Sequence, residues 1–64
     1  MDKNVEFLLE EYQDRMDYLA KSLATGSVAT IEEYRYICGQ IRGLEAACAV
    51  IVDLKNRIER SQED

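Results

Sequence analysis

Carboxylates, thiols, hydroxyls and glycines are the groups in this chain from which chemistry could be built, and their spacing argues against it. Glu10 and Asp14 lie one helical turn apart, the separation of a paired general acid and base. They fall beside Glu6, Glu11 and Asp17 on what reads as a solvated acidic face, with no apolar wall to tune either for proton transfer. Carboxylate-bridged metal sites in helical bundles take Glu-x-x-His pairs, and the sequence contains no His. Ser22, Ser27 and Ser61 have no base to activate them. Cys38 and Cys48 fall in one helical pattern, roughly 15 Å apart along it, whereas a disulfide needs Cα atoms within about 7 Å. No third or fourth ligand stands near them for zinc. They read as small buried apolar residues in a reducing compartment. Gly39 and Gly43 sit inside the same helical pattern and so form no phosphate-cradling loop. The sequence predicts a protein that is not an enzyme and that takes no cofactor and no metal.

Charge narrows the partners. Of 64 residues, 13 are acidic and 8 basic, a net charge of −5. That argues against a nucleic-acid backbone or an anionic membrane as partner. Arg35 and Arg42, seven apart on one helix edge, are expected in ion pairs, within the fold or with a partner. Tyr34 falls on an apolar seam and is expected in the core. Phe7, Tyr18 and Tyr36 lie off the main stripes, where exposed aromatics favour contact surfaces. The longest apolar run, residues 46–52, is far short of the about twenty residues of a membrane span. Residues 1–4 run into a mixed segment with no signal-peptide character, so the chain is expected to be soluble and intracellular.

Two amphipathic helices must position these groups. Apolar residues at Val5, Leu8, Leu9, Tyr12, Met16, Leu19, Ala20 and Leu23 trace one stripe in steps of three and four. Asp2 and Glu6 suit the positive start of that helix, and Lys21 its negative end. Gly26 is the natural left-handed residue just past a helix end. Thr30-Ile31-Glu32-Glu33 then matches a capping box, with Thr30 and Glu33 serving each other's amides. Beyond it a heptad sets in: Tyr34, Ile41, Cys48 and the polar Lys55 at one position, Ile37, Leu44, Ile51 and Ile58 at the other. Lys55, Arg57 and Arg60 suit the helix end, and residues 61–64 read as a frayed tail.

The expected fold is all-α: an antiparallel two-helix hairpin, with helices at about residues 3–24 and 31–61, joined by a turn at 25–29. A tight fold-back from Gly26 pairs Leu23 with Ile31, Leu19 with Tyr34, Tyr12 with Ile41 and Val5 with Cys48. The second helix is longer, so Val52, Leu54 and Ile58 lie beyond the reach of the first. On its other side Gly39, Gly43, Ala46 and Ala47 recur in steps of three and four, with Val50 beyond them. A glycine inside a helix costs about 1 kcal/mol relative to alanine, so two of them suggest that another backbone comes close. Residues 46–52 are apolar all round, and one short helix cannot cover them. The expected interface is therefore Gly39, Gly43, Ala46, Ala47, Val50, Ile51, Leu54 and Ile58. It would bring hairpins together as a helical bundle, or dock one on a larger protein.

Leu23-Ala24-Thr25-Gly26-Ser27, Glu33-Tyr34-Arg35, Gly39-Gln40-Ile41-Arg42-Gly43-Leu44-Glu45-Ala46 and Ile51-Val52-Asp53-Leu54 together resemble a group of small helical tailed-bacteriophage proteins encoded among head and packaging genes. The Gly-x-Ile-Arg-Gly-Leu core is the specific part. The resemblance implies a virion structural or assembly component, found in the host cytoplasm or the virion. Its partner would be itself, as a homo-oligomer, or a larger virion protein. It brings no catalytic residues. The alternative is a small acidic regulator that binds and inhibits a host or phage protein, using the same surface as a helix-in-groove ligand.

Overall fold

The computed structural model describes residues 3 to 63 and consists of two helices packed against each other. Helix α1 spans Lys3–Ala24 and α2 spans Ile31–Glu63. At 1.5 Å per residue these are about 33 Å and about 50 Å long, so α2 outruns its partner. The Asp2 cap expected for α1 lies outside the described residues, as does Asp64.

The turn is built by side chains as much as by backbone. Gly26 adopts φ +74°, the left-handed conformation in which a Cβ would clash. Its amide donates to the Leu23 carbonyl at 3.4 Å, while the Thr25 amide donates to Lys21 at 2.9 Å. The Ser22 carbonyl, left without an intrahelical donor, accepts from the Ser27 hydroxyl at 2.8 Å. Three of the last carbonyls of α1 are thereby served.

At the start of α2 the Thr30 hydroxyl accepts from the Glu33 amide at 3.1 Å. The reciprocal bond departs from expectation. The Glu33 carboxylate accepts from Ala29, one residue before the cap, at 3.0 Å. Its side chain reaches across the first turn and ties down the loop as well as the helix. Replacing Thr30 by Ala should cost about 1 kcal/mol per chain. That corresponds to a fall of about 4–8 °C in melting temperature for a domain of this size, read by circular dichroism. An unchanged melting curve would show that Glu33 alone sustains the helix start.

The seam between the helices is continuous and nowhere deep. Val5, Leu9, Tyr12, Met16, Leu19 and Leu23 of α1 are half-buried, spaced alternately by four and three. Facing them, Ile37, Ile41, Leu44, Cys48, Ile51 and the stem of Lys55 are half-buried on α2. Leu8 and Ala20, at the edges of the α1 stripe, are exposed.

Three expectations fail here. Tyr34 is 49% exposed, so the heptad seam does not begin with it. Leu19 shares a groove with Gln40, Gly43 and Leu44, which sets it further along α2 than a tight fold-back allows. The helices are joined by a turn at Thr25 and Gly26 and a short irregular stretch in which Val28 is half-buried, and the half-buried positions of α2 begin only at Ile37. The expected frayed tail is also absent through residue 63, where α2 continues because no glycine or proline stops it.

Candidate functional site

No described residue is fully buried. The chain exposes 5210 Å², about 1,000 Å² more than a compact protein of its mass. Roughly half of the surface of the unfolded chain stays accessible, against about 40% for a typical 60-residue domain. The Cα radius of gyration, 15.3 Å, exceeds the about 11 Å expected of a compact chain this long. The extents, 53 × 16 × 13 Å, are those of a rod two helices wide. This shape follows from having two elements: each can cover only one side of the other.

The uncovered side of α2 is ordered. Tyr36, Gln40, Gly43, Ala47, Val50 and Leu54 alternate by four and three residues, the spacing of the intramolecular seam. They lie roughly 100° around the helix from that seam. Tyr36, Val50 and Leu54 are 68%, 70% and 50% exposed and Gly43 is exposed, while Gln40 and Ala47 are half-buried. Beside the stripe an open groove of about 670 Å³ runs between the helices. Half-buried Leu19 and Leu44 line it, with Tyr18 and Arg15 on the α1 side and Gly43 on the α2 side.

Of the residues expected at an interface, Gly43, Ala47, Val50 and Leu54 share this stripe. Gly39 and Ala46 are exposed next to it. Ile51 is half-buried in the seam with α1, and Ile58 is exposed beyond it. A Cβ added at Gly39 or Gly43 would meet nothing within 4 Å. Neither glycine is therefore required by the approach of α1. Tyr36 and Leu54 extend the surface at both ends. Tyr36 was legible as an exposed aromatic, but its membership in a second seam required the spacing from Tyr36 to Leu54 to be taken as one pattern.

The electrostatics are plain. Asp53 and Arg57 form an ion pair on α2 at 3.1 Å, both well exposed, a pair of small energetic value. Arg35 and Arg42 are exposed on α2 and form no ion pair among the described residues, so the intramolecular half of that expectation fails there. They stand on the side of α2 opposite α1, out of reach of its acidic face. The thiols of Cys38 and Cys48 are free and half-buried. Among the described residues no group of three or more His, Cys, Asp or Glu is placed to hold a metal ion. No helix among them is long and apolar enough to cross a membrane.

The chain matches no family model, no curated protein and no solved structure with which it was compared. What the fold and the surface define is a class: a two-helix hairpin with a second helical seam open to solvent.

Proposed function

We propose that this chain works without catalysis, by helix–helix association, as a structural or assembly component of a tailed-phage virion. The observation that carries the associative part is the regular stripe on α2, mostly apolar or small and largely exposed, in a hairpin with no fully buried residue among those described. Burying a Leu or Val side chain from water is worth roughly 1.5–3 kcal/mol, so a surface holding Val50 and Leu54 gains by being covered. The virion assignment rests on the Gly39–Leu44 segment and its flanks, which resemble small phage head and packaging proteins. It places the chain in the host cytoplasm during assembly or in the particle afterwards.

Mass spectrometry of purified virions from a phage encoding this chain tests the reading. The expected result is the chain in fixed stoichiometry with the head proteins. Complete absence would overturn the structural role, and would favour a regulator that offers the same helix face to an enzyme.

A further inference from the structure

We infer that a second copy of this chain covers the outer stripe of α2, with the two α2 helices antiparallel about a two-fold axis between Gly43 and Ala47. The inference rests on the associative reading above and gives it a partner, a direction and a register. Extended by one position at each end, the stripe begins at Glu33 and finishes at Arg57. Its order is then symmetric in size and complementary in charge about its centre.

In an antiparallel pair each residue reached by a step of four faces one reached by a step of three. Gly43 then faces Ala47 of the second copy, Gln40 faces Val50, Tyr36 faces Leu54 and Glu33 faces Arg57, each pair occurring twice as two-fold symmetry requires. The smallest side chains meet at the centre, where two axes can approach closely. The larger ones fill the space on either side. Opposite charges close both ends.

Other arrangements fit worse. Sliding by one heptad sets Glu33 against Val50 in one direction, and in the other leaves Tyr36 against Ser61. A parallel pairing opposes Glu33 to Glu33 and Arg57 to Arg57. The end charges are free to engage across the axis. Arg57 holds Asp53 through Nε, and its guanidinium carries two further nitrogens. Glu33 accepts from Ala29 through Oε2, and a carboxylate has a second oxygen. Val50 of the second copy would also stand at the mouth of the groove lined by Leu19 and Leu44.

Cross-linking tests the register. Two proteins are made in a Cys38→Ala, Cys48→Ala background, one carrying Tyr36→Cys and the other Leu54→Cys. Circular dichroism verifies that both keep the helical content of the wild type. Both new thiols lie on exposed positions outside the seam with α1, and the Cys48→Ala change within it is common to both proteins. Mixed and oxidised, they should give a 36–54 cross-linked dimer in at least tenfold excess over either same-site product. In the inferred register two same-site thiols lie about 27 Å apart along the helix axes. Sedimentation of the wild type should give twice the 7.4 kDa of one chain. A dimer joined at 36–36 and 54–54 would overturn the direction. A dimer with no cross-link at these sites would overturn this face while the associative reading survives. A monomer at every concentration would overturn both.

Discussion

A tenfold rise in chain concentration should raise the melting temperature of the helical signal by about 5 °C. The size of the effect follows from the hairpin's own construction. Every seam residue is only half-buried, and α2 carries its open stripe alongside. On the inferred pairing, the folded species that resists heating is the dimer, whose stability depends on concentration through mass action. A tenfold change in concentration is worth about 1.4 kcal/mol. Unfolding two chains of this length releases about 2.1 cal/mol/K per residue, so the midpoint moves by about 5 °C. A melting temperature that stays fixed across a hundredfold range, with a cooperative transition, would mean that the isolated hairpin is stable. The partnership argued from its surface would then add nothing to folding.

The parts of this fold that were legible in the sequence are those fixed by local chemistry. Thr30 announces the second helix because its hydroxyl can serve an amide three residues on, and the structure forms that bond. Gly26 announces the turn because it alone nearby tolerates a positive φ, and it takes one. The heptad from Ile37 to Lys55 announces the packed side of α2 because a 3.5-residue repeat presents one stripe to one neighbour.

What local chemistry does not fix is the offset between the helices. That depends on the path of residues 25–30, and in the structure Tyr34 lies outside the seam while Leu19 lines a groove with Gln40, Gly43 and Leu44. Side-chain reach is equally hard to foresee. Glu33 spans to Ala29 instead of Thr30, and Arg35 and Arg42 find no carboxylate on α1. The small residues at 39, 43, 46 and 47 stand out by type, since glycine is costly in a helix. The stripe that takes in Gly43 and Ala47, with Gly39 and Ala46 beside it, needs the structure, because only there does the emptiness around both glycines separate a demand of the fold from a feature of the outer surface.

Gly43→Leu should separate folding from association. In the hairpin a Cβ at this position meets nothing within 4 Å, so a larger side chain is accepted without displacing α1. Leucine is also the better helix former, by somewhat less than 1 kcal/mol, so the helical signal of the variant should match or exceed that of the wild type. At the centre of an antiparallel α2 pair the same substitution is severe. Leucine would be driven against Ala47 where the axes come closest, and two-fold symmetry repeats the clash. Overpacking of this kind costs about 1–3 kcal/mol at each site, which doubled weakens the dimer by roughly 30-fold or more. Sedimentation velocity at micromolar concentration should therefore show a helical monomer in place of a dimer. If the variant sediments as the wild type does, Gly43 lies outside the interface and the two-fold axis is elsewhere. If helix content falls together with association, the glycine serves the fold of the hairpin itself, and the open space beside it has another cause.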